Sequence, residues 1–325
     1  MKNKILKHLK ENDEFISGQK LSEEFGMTRT AIWKYINALK EDGYEIESIS
    51  RRGYKLKSSP DLLSEIEIQK YLSTQYIGKK IINLPTIDST NSYAKLVAFN
   101  NEEGTIITAE QQISGKGRLG RNWSSPVSTG IYMSVILKPN LDPTKVSKLT
   151  LIGAAAVCKG LKDIGLESKI KWPNDIVING KKVCGILTEM NCELNMINYI
   201  IMGIGINVNL EEYDIPTDLK EKATSLKIVK GGTVNRKELI GFILNHFERL
   251  YDDFKDHGDL TETITICKEN SALLGKEIQI IQNGIIRIGK AIDIDKDGEL
   301  IVKFDEGEEN IISGEVSIRG LNNYI

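Results

Sequence analysis

Three glycines and three cations fall within one short run, Gly115-Lys116-Gly117-Arg118-Leu119-Gly120-Arg121, followed by Asn122, Trp123 and Pro126. Backbone without Cβ atoms lets N–H groups approach an anion closely, and lysine and arginine suit a phosphate or a carboxylate. A solvated basic surface loop has the same composition, so both readings stand at this point. The glycine spacing matches a dinucleotide fingerprint, but that fingerprint needs a helix directly after it. Trp123-Ser124-Ser125-Pro126 reads as loop, which excludes a dinucleotide-binding fold.

Lys171-Trp172-Pro173-Asn174-Asp175 sets a cation and a carboxylate on either side of a rigid turn. Pro173 pushes Trp172 toward an extended conformation and cannot sit inside a helix. Such a pair suits a nucleotide or a magnesium ion, which prefers oxygen ligands; a structural turn around a core tryptophan is the plainer reading. Lys182 and Gly185 lie on one strand, and Gly203-Ile204-Gly205-Ile206-Asn207 on another. Small residues on a buried strand leave room for a ligand, or for a tightly packed neighbour. Ser89-Thr90-Asn91 is first a helix-capping sequence, and also a source of hydroxyl and amide groups for a polar ligand.

The elements that must position these residues follow from periodicity. Ile5, Leu6 and Leu9 share a face of a first helix over about 3–11. Ser17 caps a second helix stopped by Gly26, and Thr28 caps a third that runs to about Asp42. Ile32, Ile36 and Leu39 give this third helix a buried stripe, and its opposite face carries Thr30, Trp33, Lys34 and Asn37. Residues 44–50 and 54–56 form a hairpin with Arg51 and Arg52 at its tip. Three helices and a hairpin make a winged helix-turn-helix, so Thr28, Arg29, Thr30, Trp33, Lys34, Asn37, Arg51 and Arg52 are candidate DNA contacts. Ser58-Ser59-Pro60 is a linker. Beyond it, Ser89 caps a helix to about Phe99, strands are expected over 105–110, 131–138, 182–190 and 197–208, and helices over 144–163 and 235–254. Asn179-Gly180 is a hairpin turn. After Gly275, short β runs separated by Asn283-Gly284, Lys296-Asp297-Gly298 and Glu306-Gly307 suggest a small β-barrel.

The chain has 325 residues, enough for two or three domains, with 40% hydrophobic and 27% charged residues. Net charge is −2, which argues against a protein that coats nucleic acid throughout. Residues 1–60 carry 12 Lys/Arg and 9 Asp/Glu, a net of +3, leaving −5 for the rest; this mild asymmetry permits a DNA-binding head. No apolar run is long enough to span a bilayer, and the lysine-interrupted start lacks a secretion signal. Cys158, Cys184, Cys192 and Cys267 form no CxxC pair and only three histidines are present, so no protein-held metal site is expected. Reduced thiols in a cytoplasmic protein are the simplest reading.

In this order, the winged head, Ser89-Thr90-Asn91, the glycine–arginine loop, Lys171–Asp175, Lys182-x-x-Gly185-Ile186-Leu187, the Gly203–Asn207 strand and the terminal β segment resemble the bacterial biotin protein ligase and biotin operon repressor family over nearly the whole chain. The resemblance implies an α+β protein: a winged head over 1–60, a class II synthetase-like biotin/lipoate ligase domain with a mixed sheet over 61–272, and a small SH3-like β-barrel over 273–325. It implies an ATP-dependent, AMP-forming biotin-[acetyl-CoA-carboxylase] ligase. Biotin and ATP give biotinyl-5′-adenylate, and biotin then passes to a lysine of a biotin carboxyl carrier protein, with magnesium required.

By this resemblance, Ser89, Thr90, Asn91, Gln112, Gly115, Lys116, Arg118, Lys182, Gly185 and Gly203 bind biotin. Lys116, Arg118, Arg121, Trp123, Lys171, Asn174, Lys182 and Asn207 bind the adenylate or ATP. Lys182, Asp175, Arg118 and Lys171 carry the catalysis, with Asp175 orienting or deprotonating the incoming lysine. Many relatives have arginine where this chain has Lys116, and lysine loses the planar fork. The tryptophan that some relatives place over adenine has no match near Ala223-Thr224-Ser225-Leu226. Operator DNA and an adenylate-promoted homodimer are the further partners implied. Alternative readings are a lipoate or octanoate ligase of the sister family, a ligand-sensing repressor without catalysis, and a ligase whose head no longer regulates.

Overall fold

The computed structural model describes residues 1–194, 196–282, 284–314, 316–321 and 324–325. They form two compact units, Met1–Leu62 and Leu63–Ile325. The first contains α1 (Lys2–Lys10), α2 (Gly18–Phe25), α3 (Arg29–Glu41) and an antiparallel hairpin of β1 (Glu45–Ile49) and β2 (Gly53–Ser58). Local chemistry sets these boundaries. Ser17 Oγ accepts the Lys20 N–H at 3.1 Å and Thr28 Oγ1 accepts that of Ala31 at 3.2 Å, while Gly26 ends α2 in the left-handed region. Ile5, Leu6, Leu9, Leu21, Ile32, Ile36 and Leu39 meet in the core of this unit. At Gly53, with φ 108°, an added Cβ would lie 2.0 Å from the Ile16 carbonyl oxygen, so only glycine fits where the hairpin meets that backbone.

The second unit runs through α4 (Glu65–Ile68), β3 (Ile81–Leu84), α5 (Thr90–Val97), β4 (Ile106–Ala109), β5 (Gly130–Leu137), α6 (Val146–Asp163), β6 (Lys169–Lys171), β7 (Asp175–Ile178), β8 (Lys181–Glu193) and β9 (Met196–Asn207). It continues through α7 (Leu226–Lys230), α8 (Arg236–His257), α9 (Thr261–Glu269), β10 (Glu277–Gln282), β11 (Ile285–Ile294), β12 (Leu300–Phe304), β13 (Gly307–Ile311) and β14 (Val316–Gly320). Seven strands form a mixed sheet in the order β3-β4-β5-β9-β8-β7-β6; β3 and β4 are parallel, and the other neighbours antiparallel. Every residue of β5 is buried, as a strand covered on both faces requires. On one face α6 packs with α8, where Gly160 brings the two close: an added Cβ would sit 2.7 Å from Ile243. On the other, Ala94 of α5 and Ala98 just beyond its end pack against Ile107, Ile136, Tyr199 and Ile201. Asn179 and Gly180 have φ of 51° and 76°, both positive as a two-residue type I′ turn needs.

One expectation changes. Ser89 occupies the N-cap of α5, but its side chain makes no capping bond. The terminal strands form the expected small antiparallel domain, ordered β13-β12-β11-β10-β14, in which the last strand pairs with the first. The expected Asn283-Gly284 turn includes Asn283, which lies outside the described residues.

Candidate functional site

Strand alternation builds the floor of the site. In the register of the central sheet, Tyr132, Gly205, Gly185 and Asp175 stand in one row across β5, β9, β8 and β7. Ser134, Gly203 and Leu187 form the next row on the same face, two residues along each strand. The three glycines therefore clear one patch in mid-sheet, on the side that carries α5. Two side chains fill that clearing. Added Cβ atoms at Gly205 and Gly185 would meet the Trp123 indole at 2.7 and 3.1 Å, and one at Gly203 would meet Asn91 Oδ1 at 2.2 Å. These glycines admit close neighbours, and those neighbours border a cavity.

Lys182 reaches the same patch through a β-bulge. Ile176 pairs with Cys184 but Val177 with Lys182, so Val183 is an extra residue. Strict alternation would put Lys182 and Gly185 on opposite faces; the bulge turns the lysine toward Gly185 and Asp175. Its Nζ lies 2.6 Å from Asp175 Oδ1 and 5.3 Å from the Trp123 ring centroid.

A buried polar row runs along the α5 side. Lys95 Nζ and Asn91 Nδ2 donate to Glu189 at 2.6 and 2.8 Å. Burial pushes the Glu189 carboxyl up, but these two donors outweigh it and the net shift is downward. Asn91 Oδ1 must then accept, and Ser134 Oγ donates to it at 2.6 Å. Gln112 Nε2 donates to Ser125 Oγ at 2.8 Å, so Gln112 Oε1 accepts, taking the Thr90 N–H at 2.9 Å. The Thr90 hydroxyl lies 2.8 Å from Ser134 Oγ and 3.1 Å from Gln112 Oε1. The Thr90 hydroxyl donates to Gln112 Oε1, while Ser134 Oγ has one proton for two acceptors, Asn91 Oδ1 and Thr90 Oγ1. The row thus ends with surplus acceptors, suited to a ligand that brings N–H donors.

Two adjoining cavities meet at this point. The smaller, about 50 Å³, is bordered by Ser89, Thr90, Asn91, Gln112, Lys116, Gly185 and Gly203. The larger, about 930 Å³, is bordered by Arg121, Lys171, Asp175 and Asn207. Arg118, Trp123, Asn174 and Lys182 border both. The smaller volume is below the roughly 300 Å³ of ordinary ligand pockets, because Trp123 and Asn91 occupy its floor. The Trp123 indole N–H is buried without a hydrogen-bond partner among the described residues.

The glycine–arginine loop is more ordered than its composition suggests. Trp123 N–H donates to Gly115 O at 2.8 Å and Gly117 N–H to Arg121 O at 2.7 Å, and Lys116 bridges Asn122. These amides are therefore spent within the loop. Gly115 is not among the residues bordering the two cavities; an added Cβ there would lie 2.4 Å from the Trp123 carbonyl oxygen, so the loop's closure requires glycine at this position. Lys116 Nζ donates to Ser92 Oγ at 2.8 Å. Arg118 donates to Asn174 Oδ1 and to the carbonyl oxygens of Gly314 and Val316, tying the loop to the terminal sheet. Burial lowers the Arg118 pKa, Asp175 opposes that shift, and Arg121 adds to it.

Trp172 is buried, and its indole N–H donates to Gly298 O at 2.9 Å; it joins the two sheets, as the structural reading of that turn required. The Trp172–Pro173 peptide is cis. Lys171, 5% exposed, has its pKa lowered to about 8, first by burial, with Asp175 opposing. Its ammonium lies 3.4 Å from the ring centroid of Tyr324. Asn207 Nδ2 donates to Thr224 O at 3.1 Å. Sequence reasoning missed Ser134, Glu189 and Tyr324; none belongs to a recognisable motif, and only the fold brings them here.

In the head, Thr28, Arg29, Thr30 and Lys34 are exposed, Trp33 is 54% exposed, and Asn37 is half-buried on the same helix. Arg51 and Arg52 are exposed at the hairpin tip, but the Arg52 guanidinium stacks 4.5 Å over the Phe15 ring.

Comparisons with known proteins agree with this geometry. Residues 84–207 match the biotin/lipoate A/B protein ligase family, 2–55 an HTH domain, and 273–319 the biotin protein ligase C terminal domain. The bifunctional ligase/repressor BirA of Bacillus subtilis is 41% identical over 309 residues, covering 94% of each chain. That of Escherichia coli is 27% identical, covering 95% of this chain and 94% of its own. The structure of the biotin protein ligase from Aquifex aeolicus in complex with biotin and ATP aligns with a TM-score of 0.66 at 32% identity, over 74% of this chain and 99% of that one. The chain belongs to the bifunctional ligase/repressor BirA family.

Proposed function

We propose that this protein is a biotin protein ligase with its own DNA-binding head. It joins biotin to ATP, forming biotinyl-5′-adenylate and pyrophosphate, passes biotin to a lysine of a carboxylase carrier protein, and represses transcription in response to biotin. The carrying observation is the junction of two cavities at Lys182, Arg118, Asn174 and Trp123. A two-substrate condensation needs such a shared boundary. Biotin takes the smaller cavity, its ureido N–H groups meeting the surplus acceptor capacity of Thr90 and Ser134. ATP takes the larger, with Lys171, Arg118 and Arg121 facing its phosphates. Trp123 shifts to admit the ligands.

The biotin carboxylate attacks the α-phosphorus and pyrophosphate leaves. Lys182 lies between the cavities and neutralises charge on both reacting groups. The acceptor lysine then attacks the activated acyl carbon and AMP departs, with Asp175 orienting that amine and taking its proton. No enzyme nucleophile is needed; positioning and preorganised charge supply the catalysis. Among the described residues no group of three acidic, histidine or cysteine side chains could hold a metal ion. Magnesium enters with ATP as part of the MgATP substrate, and the Asp175 carboxylate, which borders the larger cavity, is an oxygen donor available to it.

The catalytic domain spans 61–272 and the terminal sheet domain 273–325, with the head over 1–60. The exposed face of α3 enters a major groove and the Arg51 side of the hairpin meets backbone phosphate. Two heads on one near-palindromic operator call for a homodimer, formed with the adenylate bound. Reduced thiols and a helix set in which no described helix is long and apolar enough to cross a membrane are compatible with the cytoplasm.

Lipoate or octanoate attachment is the nearest rival. The polar row disfavours it, because an acyl chain or dithiolane has no N–H groups to give those acceptors. Biotin-dependent ATP–pyrophosphate exchange, with lipoate and octanoate as controls, tests the assignment. Exchange with biotin alone is expected; exchange with lipoate but not biotin overturns it.

A further inference from the structure

Tyr324 has no part in the reaction just described, yet it touches two of its residues. Its hydroxyl donates to Asp175 Oδ2. Asp175 Oδ1 already receives Lys182 Nζ at 2.6 Å and Asn174 Nδ2 at 2.9 Å, so both carboxylate oxygens are engaged. The Tyr324 ring lies against the Lys171 ammonium, with 3.4 Å between Nζ and the centroid. Among the described residues no carboxylate or carbonyl accepts a hydrogen bond from Lys171, so the ring face is its nearest partner. At that separation no phosphate oxygen fits between the two.

An aromatic face is a weaker partner for an ammonium than an anionic oxygen. Burial is the first cause of the depressed Lys171 pKa, and Asp175 only partly opposes it. Tyr324 is held in the cleft by its side chain: among the described residues its backbone makes no hydrogen bond. Swinging the side chain out breaks its hydroxyl contact to Asp175 and its ring contact to Lys171.

Resting on the assignment of the larger cavity to ATP, we propose that Tyr324 is a resident competitor for the nucleotide: its side chain occupies the Lys171–Asp175 corner and leaves when the phosphates enter. Tyr324 thereby sets the affinity for MgATP. The same departure frees Asp175 Oδ2. The carboxylate that must take the acceptor lysine's proton is thus released only once the nucleotide is in place, which orders the two half-reactions.

The test is calorimetric titration of MgATP, and separately of magnesium pyrophosphate, into the full chain and into Tyr324→Ala and Tyr324→Phe. If the side chain is docked about nine-tenths of the time, its removal tightens apparent MgATP binding roughly tenfold. Tyr324→Phe, which keeps the ring on Lys171 and loses the hydroxyl, falls between. Biotin affinity stays unchanged, and KM for ATP in pyrophosphate exchange falls in parallel. Unchanged or weakened MgATP binding in Tyr324→Ala overturns the proposal. So does a joint fall of thermal midpoint, biotin affinity and ATP affinity, which is the pattern of a merely structural residue. Loss of biotin-dependent exchange from the unaltered protein would sink the ligase assignment instead, and the MgATP titration would still decide the role of Tyr324.

Discussion

Lys171→Met removes an ammonium from a place that disfavours it. Burial brings the Lys171 pKa from its ordinary 10.5 to about 8, and Asp175 only partly opposes this. At 1.36 kcal/mol per pH unit, carrying the charge into the fold costs roughly 3 kcal/mol. The sign follows from proton counts. Below pH 8 both folded and unfolded chains hold the proton and the cost is complete. Between about pH 8 and 10.5 the unfolded chain holds a proton that the folded chain has released, so stability rises with pH across that window. Methionine matches the lysine stem in volume and its sulfur packs well on an aromatic ring, here that of Tyr324, while Asp175 keeps Lys182 at 2.6 Å. Urea unfolding at pH 7 should show the variant about 2–3 kcal/mol more stable, and the gain should vanish toward pH 10.5. Other titrating groups are common to both proteins and cancel in the difference. Pyrophosphate exchange should be lost in the same variant. A variant no more stable at pH 7, or a difference independent of pH, would refute a charge held there at a cost.

Arg236, fully buried, donates to Glu110 at 3.0 Å and to Gly130 O at 2.8 Å. Arg236→Met strands the carboxylate and should cost about 3–5 kcal/mol in urea unfolding; adding Glu110→Gln should recover much of it, and no recovery would show that shape rather than charge is at stake. Arg118→Gly loses the links to Asn174 and Val316, and with them a charged contact of about 1.5–3 kcal/mol. Bound biotinyl-adenylate should dissociate about tenfold faster or more and label unrelated lysines, whereas unchanged release would end that role. Arg51→Ala should weaken DNA binding evenly across sequences and flatten its salt dependence. Asn37→Ala should relax discrimination at one base pair by roughly 1–3 kcal/mol. Titrations at two salt concentrations, with and without adenylate, separate the two, and no ligand effect at any protein concentration would remove the regulatory role.

What was legible beforehand was what short stretches decide for themselves. Ser17, Thr28 and Gly26 bound their helices, and Asn179-Gly180 makes its turn, because caps and tight turns depend on a few neighbouring residues. The site residues of the loop, of Lys171–Asp175 and of the two strands were legible as types but not as contacts. Parity along β8 separates Lys182 from Gly185, and only the extra Val183 brings them to one face. That bulge is a property of the pairing with β7 and leaves no mark in the strand's own composition. Likewise the close approach of the Trp123 carbonyl to Gly115 is set by how the loop folds on itself and cannot be read from the loop's composition. Tyr324 and Glu189 lie far along the chain from the groups they bond, and nothing near them in sequence marks them.

The indole of Trp123 on its glycine floor has a thermodynamic consequence. Gly185 and Gly205 are half-buried, with that ring lying close over them. An incoming ligand therefore exchanges with a side chain more than with solvent. Less apolar surface leaves water than the ligand's size would suggest, and since heat capacity follows that surface, biotin should bind with an unusually small change in heat capacity. Affinity becomes the difference between two occupants of one seat. A smaller residue at position 123 would then let biotin dry the floor itself, and the heat-capacity change would grow more negative even where the free energy of binding hardly moved.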